Sequence, residues 1–198
     1  VRQKLRREKR ALALTLAIGD LAGHLTLTDV ITRLSDLADR ALDEAIVDIY
    51  AQRYPDAPVA GFAVIGLGKH GSRELNYSSD IDPIFIYDPD KIPTRGREEP
   101  SDASRRIGQQ LVEALNARDA DGYVFRVDMR LRPSPEVSPV ALPVNAAISY
   151  YESSALAWEQ AAYIRSRAAA GDQQLGQYFL ETINPFIWRR SIDYGAIK

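Results

Sequence analysis

The sequence predicts an α+β fold with two N-terminal helices, a small α/β core and a C-terminal helical region. Apolar residues recur at helical spacing before residue 54 and after residue 144, whereas short apolar runs bounded by glycine and proline lie between them. The chain is 45% hydrophobic and 26% charged, which is typical of a globular protein. We therefore divide it into an N-terminal helical segment (1–54), a core (55–143) and a C-terminal helical region (144–198).

Two helices are predicted before the core. The first covers residues 1–23 and ends near Gly23, and we interpret its basic start as a solvated helix face. Thr26 or Thr28 can cap the second helix, which is predicted to run to about Tyr50. The basic residues at the start of the first helix are Arg2, Lys4, Arg6, Arg7, Lys9 and Arg10.

Two buried strands and one helix are predicted in the core. GFAVIGLG (61–68) and IDPIFIYD (81–88) are apolar runs of strand length. Pro83 has no N–H to donate, which predicts that at least one side of the second strand lacks a ladder partner there. Residues 89–101 are predicted to form a solvated loop and residues 102–118 a helix.

A third strand is predicted at YVFRVDMRL (123–131), where apolar and charged residues alternate with period two. A proline-containing loop follows this strand. The remainder is predicted to be helical, including residues 149–171, and Asp172 is the predicted N-cap of a further helix. Within this region we predict that Trp158 lies in the core.

The bulk composition argues against several classes of protein. The net charge of −2 gives no support for a nucleic-acid or membrane partner. The chain has no cysteine, and no apolar run reaches the length of a membrane-spanning helix. We therefore predict a cytoplasmic protein, and because the chain begins at Val1 rather than methionine we expect a fragment of a longer one.

Asp80 and Asp82 are the first candidate site residues, because they lie at i and i+2 at the start of a predicted strand. That spacing places both carboxylates on one face, where their like charges repel unless a cation neutralises them. Mg²⁺ prefers such oxygen ligands. The alternative is a turn with two solvated aspartates, which is the more common outcome for an isolated Asp-x-Asp.

A glycine-rich turn, GLGKHG (66–71), follows the first predicted strand. Glycine lets backbone N–H groups approach an anion closely, and a helix that begins there directs its positive end at a phosphate. The turn lacks the Gly-Lys-Ser/Thr ending of a P-loop, so on its own it is weak support for a phosphate site. We interpret His70 as an exposed turn residue.

Asp128 is the third candidate carboxylate, on the polar face of the predicted strand at 123–131. Arg126, Arg130 and Arg132 share that face, and arginine can bind an anion through two parallel hydrogen bonds. The alternative is a solvated sheet face with salt-bridged side chains. Three carboxylates that hold two Mg²⁺ ions roughly 3.5–4 Å apart are a standard arrangement for in-line displacement at phosphorus.

This order of parts resembles the polymerase-β-like nucleotidyltransferase superfamily, whose core is a small mixed β-sheet. GLGKHGSRELNYSSDID, GYVFRVDMRLRP and the later Trp158-Glu159 resemble, more narrowly, the bacterial glutamine synthetase adenylyltransferase/adenylyl-removing enzymes over most of the chain. In that family the N-terminal half removes AMP from a tyrosine of glutamine synthetase by phosphorolysis, which yields ADP. The C-terminal half attaches AMP from ATP.

Two passages resemble the removing half. FRVDMRLRP (125–133) is one, since the attaching half typically reads FEVDTRLRP, and FLETINPFIWRRSIDYGAI (179–197) is the other. The resemblance therefore implies Mg²⁺-dependent deadenylylation of glutamine synthetase, with adenylylation as the alternative. It also implies that ADP, ATP and phosphate are ligands, and that the PII signalling protein acts through the full-length enzyme.

The resemblance implies a role for each carboxylate and for the glycine turn. Asp80, Asp82 and Asp128 are expected to be the catalytic carboxylates and the ligands of a two-ion Mg²⁺ site. Gly68 and Lys69 take the place of the superfamily's Gly-Ser phosphate turn. Because lysine replaces the serine, only the backbone part of that role transfers.

The remaining expected site residues come from the same motifs. Ser79, Arg126 and Arg130 complete the expected phosphate- and nucleotide-binding set, and either arginine can hold an attacking phosphate. Glu74, Asn76 and Ser79 are expected to support the site as helix and turn residues.

Two other functional classes remain open. One is a regulatory module that binds nucleotide without turnover, against which the three intact carboxylates argue. The other is a nucleotidyltransferase for a small molecule or a nucleic acid, and the lack of net basic charge argues against the nucleic acid. Pro83 stands where the family usually has leucine, which alters the strand after Asp82 without removing a carboxylate.

Overall fold

The computed structural model describes residues 1–188, and within them it confirms the α+β class with seven helices and one four-stranded sheet. The strands are β1 (Phe62–Leu67), β2 (Asp82–Tyr87), β3 (Ala141–Pro143) and β4 (Arg167–Gly171). The helices are α1 (Arg2–Leu21), α2 (Leu27–Arg53), α3 (Gly68–Gly71), α4 (Pro100–Asn116), α5 (Val144–Ser153), α6 (Ala157–Tyr163) and α7 (Gln173–Ile187).

The sheet is mixed, with the strand order β3-β2-β1-β4. β1 runs antiparallel to both β2 and β4, while β3 runs parallel to β2. The antiparallel register of the two central strands pairs Leu67, the last residue of β1, with Asp82, the first residue of β2. This register places the glycine turn and the first aspartates at the same end of the sheet.

Helices cover both faces of the sheet, so the central strands are buried on two sides. Phe62 and Val64 point into a core that also contains the apolar faces of α2 and α4. Ala63 and Ile65, the alternating residues of β1, point into a second core with α5 and α7. A strand covered on both faces reads as a continuous apolar run rather than an alternating one, which is why β1 was predictable.

Three local predictions about these elements are confirmed. The Thr26 hydroxyl accepts a hydrogen bond from the Asp29 N–H (3.2 Å), and the Asp29 carboxylate accepts one from the Thr26 N–H (2.9 Å), which together begin α2. Asp172 caps α7 by accepting from the Leu175 N–H (3.0 Å). Pro83 lacks a partner on the β3 side, because the pairing with β3 begins only at Phe85.

The predicted strand at 123–131 is wrong, although the segment is placed beside β2. It forms a single parallel bridge to Ile81, whose N–H donates to the Arg126 carbonyl (3.0 Å) and whose carbonyl accepts from the Asp128 N–H (2.9 Å). The next residue to bond along that edge is Pro83, which has no N–H. The ladder therefore stops after one residue.

The helical prediction for residues 149–171 is wrong at its end, where RAAAG forms β4, and β3 lies in a segment predicted to be a loop. Alanine favours a helix, but pairing with β1 overrides that preference. The small side chains are required by packing, since a Cβ built on Gly176 of α7 would lie 2.7 Å from the Ala168 Cβ. One strand of the sheet, β4, therefore comes from the region after residue 143 that was predicted to be helical.

The basic start of α1 is a solvated face only in part: Arg2, Lys4, Arg7 and Arg10 are exposed, whereas Arg6 and Lys9 are not. Arg6 is buried, pairs with Asp119 and donates to the Ala117 carbonyl (2.6 Å). Arg7 and Arg10 both pair with Asp121. The helix is therefore docked on the acidic loop that follows α4.

Trp158 is also not a core residue, since 49% of it is exposed. Its neighbour Glu159 is buried instead. The Glu159 carboxylate accepts from the Leu156 N–H (2.7 Å) at the start of α6 and from the Tyr150 hydroxyl (2.9 Å). No helix within residues 1–188 combines the length and the apolar character that a membrane crossing requires.

Candidate active site

The glycine turn and Asp82 meet where β1 ends and β2 begins. Gly68 has a φ of +55°, a conformation that glycine adopts without strain. A Cβ built on Gly68 would lie 3.1 Å from Oδ2 of Asp82, so a side chain there would crowd the carboxylate. Lys69 follows on the exposed side of the turn. Because α3 is only one turn long, any anion seat here would depend on backbone N–H groups more than on a helix dipole.

A short turn before β2 presents Asp80. The Ser79 hydroxyl accepts from the Asn76 N–H (3.0 Å) and donates to the Asn76 side-chain oxygen (2.9 Å). Asp80 follows directly and pairs with the guanidinium of Arg126, which also donates to the Ser78 carbonyl (2.9 Å). The Ser79 hydroxyl therefore serves the turn in this structure.

Asp128 reaches the site through the backbone of Ile81. The bridge described above places Asp128 beside the residue that separates Asp80 from Asp82. Arg130 holds the Asp128 carboxylate through its Nε, at 3.0 and 2.9 Å from the two oxygens, and its backbone N–H donates to the same group (2.9 Å). All three predicted carboxylates thus meet at one end of the sheet.

The carboxylates influence one another electrostatically. Burial, together with the negative charges of Asp128 and Asp80, raises the pKa of Asp82 to about 6. The hydrogen bonds from Arg130 lower the pKa of Asp128. Asp82 therefore carries the unfavourable charge of the cluster, while Asp80 and Asp128 each have an arginine.

We expect Asp82→Asn to stabilise the chain at neutral pH when no divalent cation is present. The folded pKa of about 6 lies above the ordinary value of 3.8, so the unfolded state ionises first and stability falls as the pH rises between those values. The substitution removes that loss, which is on the order of 1 kcal/mol after allowance for solvent screening. Thermal unfolding at several pH values measures the difference.

The stability difference between Asp82→Asn and the unsubstituted chain should grow from about pH 4 to about pH 6 and then level off. Asp56→Asn, at an exposed turn away from the site, is the matched control and should show no such trend. A difference that stays constant across this range would contradict the assignment of unfavourable charge to Asp82.

The donor chemistry of this cluster fits Mg²⁺, which takes carboxylate oxygens. Among residues 1–188, however, no group of three or more His, Cys, Asp or Glu side chains is arranged to hold a metal ion as it stands. Asp80 and Asp128 face their arginines, and a shared cation requires them to turn towards Asp82. Asp80, Asp82 and Asp128 are the residues that would hold it.

A buried polar cluster supports the glycine turn, and sequence reasoning missed it. His70 is fully buried rather than exposed, and its Nε2 lies 2.8 Å from Oδ1 of Asp39 on α2. Arg167 of β4 donates to the same oxygen (2.7 Å) and to the His70 carbonyl (3.2 Å). The three side chains come from distant parts of the chain, so no local pattern could have joined them.

A second contact ties the end of the turn to the segment before β4. Glu74 accepts a hydrogen bond from the Ser72 hydroxyl (2.9 Å) and pairs with Arg165 (3.4 Å). The glycine turn is therefore held from two sides, by α2 and by the approach to β4. Such a rigid setting is what a site needs to keep backbone groups in one geometry.

Comparison with known proteins gives a consistent result along the chain. A family model described as glutamate-ammonia ligase adenylyltransferase matches residues 1–182. The chain is 44% identical to the bifunctional glutamine synthetase adenylyltransferase/adenylyl-removing enzyme of Caulobacter vibrioides, with 99% of the chain and 21% of that protein aligned. The proteins of the same name from Xanthobacter autotrophicus and Agrobacterium fabrum are 43% and 41% identical over 100% of the chain. The chain spans about one fifth of the length of these relatives.

Proposed function

Because the chain belongs to the glutamate-ammonia ligase adenylyltransferase family, we propose that it removes AMP from the adenylylated tyrosine of glutamine synthetase by Mg²⁺-dependent phosphorolysis. The observation that carries the proposal is the meeting of Asp80, Asp82 and Asp128 beside the glycine turn. Carboxylates clustered at a phosphate turn suit nucleotidyl transfer, in which a cation and a phosphate must share one site.

The residue at position 126 favours the removing direction over the attaching one. The attaching half typically has glutamate where this chain has Arg126, which pairs with Asp80. Phosphorolysis brings two anions together, the AMP-tyrosine diester and inorganic phosphate, so an added cation supports it. The passage at 179–197 is the second sequence feature in favour, and its residues 189–197 lie outside the described part of the chain.

Each group of the site has a role in this reaction. Mg²⁺, when bound by the three aspartates, supplies charge neutralisation at the diester. The backbone of Gly68 seats the diester phosphate, and Arg126 or Arg130 orients the incoming phosphate. An oxygen of that phosphate bonds to the α-phosphorus as the bond to the tyrosine oxygen breaks. The tyrosine oxygen takes a proton from water, and the products are ADP and unmodified tyrosine.

No general base is required in this direction, because inorganic phosphate is already an anion at neutral pH. The tyrosine hydroxyl, with an ordinary pKa of about 10, is a tolerable leaving group once its developing charge is stabilised. The carboxylates therefore act through charge and position rather than by removing a proton.

The direct test incubates the chain with AMP-modified glutamine synthetase, Mg²⁺ and inorganic phosphate and measures ADP. We expect ADP release that depends on both Mg²⁺ and phosphate. Transfer of AMP from ATP to unmodified glutamine synthetase, without ADP release from the modified form, would support the adenylylating alternative that the relatives' bifunctional name allows. If the chain binds nucleotide in the presence of Mg²⁺ but catalyses neither reaction, the result would support a regulatory module without turnover.

The wider setting of this activity is also part of the proposal. We propose a cytoplasmic location for the protein and regulation of the full-length enzyme by the PII signalling protein. Both rest on the family likeness and not on any contact described above.

A further inference from the structure

The two arginines that pair with the carboxylates of the site are held differently. The guanidinium of Arg126 has two partners, because it pairs with Asp80 and also donates to the Ser78 carbonyl (2.9 Å). The guanidinium of Arg130 donates to the Asp128 carboxylate, and within the described part of the chain it donates to no other group. The side chain of Arg130 is 86% exposed, compared with 52% for Arg126. Arg130 is therefore the arginine that can exchange its partner with the smaller loss of contacts.

Arg126 is part of the turn that presents Asp80. The Asn76 side-chain oxygen closes that turn by accepting a hydrogen bond from the Ser78 N–H (3.0 Å). The side chain of Arg126 donates to the carbonyl of Ser78, and its own carbonyl accepts from the Ile81 N–H (3.0 Å). Arg126 is thus bonded to the chain both before and after Asp80, as expected of a residue that positions this carboxylate.

The position of Asp128 does not depend on the guanidinium of Arg130. The Asp128 N–H donates to the Ile81 carbonyl (2.9 Å), and the Asp128 carboxylate accepts from the backbone N–H of Arg130 (2.9 Å). Both bonds remain possible when the Arg130 side chain moves. The two oxygens that Arg130 Nε contacts, at 3.0 and 2.9 Å, are of the kind that Mg²⁺ takes as ligands. The guanidinium therefore competes with a cation for Asp128 and is released when the carboxylate turns towards the cation.

Arg130 lies near the whole carboxylate cluster and not beside Asp128 alone. Contact with Asp128 raises the pKa of Arg130, and the charges of Asp82 and Asp80 raise it as well. For Arg126, Asp80 is the carboxylate that has this effect. An anion bound by Arg130 would accordingly lie close to the residues that are expected to hold the cation, which in-line transfer at phosphorus requires.

We propose that Arg130 binds the attacking phosphate, and that Arg126 is a positioning residue for Asp80. The inference rests on the proposed function and deepens it, because the proposed reaction works with either arginine. A guanidinium that leaves a carboxylate offers the same planar pair of N–H donors to a phosphate. Cation binding at Asp128 and phosphate binding at Arg130 then favour each other, since the first releases the group that the second needs.

The same seat holds the terminal phosphate of the product. The attacking phosphate becomes the β-phosphate of ADP, whereas AMP carries only the phosphate that came from the diester. Arg130 should therefore contribute to the binding of inorganic phosphate and of ADP, and not to the binding of AMP. The comparison of these three ligands separates the seat of the attacking group from the seat of the diester.

The first test is calorimetric titration of the chain with inorganic phosphate, ADP and AMP in the presence of Mg²⁺. Arg130→Gln should weaken the binding of phosphate and of ADP about tenfold, since a charge-assisted contact is lost. Its binding of AMP should stay within about twofold of the unsubstituted chain, because AMP does not reach the seat. Arg130→Lys keeps the charge without the planar fork and should bind phosphate with intermediate affinity.

A titration with Mg²⁺ alone should show the opposite sign. Arg130→Gln frees the Asp128 carboxylate and should tighten Mg²⁺ binding about twofold to fivefold, the range that corresponds to the loss of one exposed ion pair. Arg126→Gln removes an equal charge from the same site, but it should not tighten Mg²⁺ binding, because the turn before Asp80 loses a contact. Arg105→Gln, which breaks an exposed pair with Asp102 on α4, is the matched control and should change neither titration.

The outcomes separate this inference from the proposed reaction. Tighter binding of Mg²⁺ and weaker binding of phosphate by Arg130→Gln support the role even if the chain releases no ADP from modified glutamine synthetase. Equal effects of Arg126→Gln and Arg130→Gln would show that only the net charge matters, and would overturn it. So would unchanged binding of inorganic phosphate by Arg130→Gln, a loss of AMP binding as large as that of ADP binding, or no binding of phosphate by the unsubstituted chain.

A purely structural role for Arg130 predicts a different pattern. In that case Arg130→Gln would weaken the binding of Mg²⁺ and of phosphate together and lower the melting temperature, because Asp128 would no longer be held in place. That result would also overturn the assignment.

Discussion

Asp128→Asn is expected to abolish turnover and to leave the fold intact. The substitution removes one of three charges that would hold Mg²⁺, and metal-assisted charge stabilisation contributes several kcal/mol at the transition state. A loss of that size corresponds to a rate decrease of roughly 10³-fold or more. ADP release from AMP-modified glutamine synthetase, in the presence of Mg²⁺ and phosphate, is the measurement.

The fold should survive because asparagine keeps the contacts that position the residue. The Asp128 N–H donates to the Ile81 carbonyl, and a side-chain oxygen accepts from the Arg130 N–H; both bonds remain possible in the variant. Asp56→Asn serves as the control for removal of a surface charge and should retain full activity. Retained phosphate-dependent ADP release by Asp128→Asn would remove Asp128 from the catalytic set.

The sequence predicted the side of the segment on which Asp128 lies, although it predicted the wrong secondary structure there. Alternation along residues 123–131 predicted a strand with Asp128 on its polar face, and the structure has only a bridge there. The alternation nevertheless identified the side chains that share a side of an extended segment. Two backbone hydrogen bonds to Ile81 were enough to bring Asp128 to the aspartate pair.

Local patterns predicted the elements whose causes are local. The capping box that begins α2 involves residues three apart, and β1 is recognisable because both of its faces are covered by apolar cores. By contrast, β4 is an alanine-rich segment that forms a strand only because β1 offers an edge more than a hundred residues earlier in the chain. Single-sequence periodicity carries no information about such distant pairing.

The same limit explains the errors at the site. His70 seemed exposed because it lies in a polar turn, yet the turn is pressed against Asp39 and Arg167 from two distant elements. Outside the site, the sequence predicts Arg6 as one of several solvated charges, because its partner Asp119 lies more than a hundred residues away in the chain. The sequence shows the chemistry of a side chain, but it does not show which distant residues contact that side chain.

Gly71→Ala is expected to destabilise the chain by about 3 kcal/mol or more, which is the largest stability effect we predict. A Cβ built at Gly71 would lie 1.8 Å from the Arg165 carbonyl oxygen and 2.6 Å from the Gly66 carbonyl oxygen. Both atoms belong to the backbone, so the clash can be relieved only if the turn moves away from the segment before β4. Urea unfolding, with the m-value compared between variants, measures the loss.

Gly96→Ala is the matched control for this prediction. Gly96 has a φ of +60° and no heavy atom within 4 Å of a built Cβ, so alanine there meets only the backbone strain of a positive φ, about 1 kcal/mol. A much larger loss at Gly71 would therefore measure tight packing of the glycine turn rather than glycine's conformational freedom.

Because that packing also fixes Gly68 against Asp82, Gly71→Ala should weaken Mg²⁺-dependent anion binding in the fraction that remains folded. Equal losses at the two glycines would show that the turn is free to shift, and that the carboxylates do not depend on it for their position.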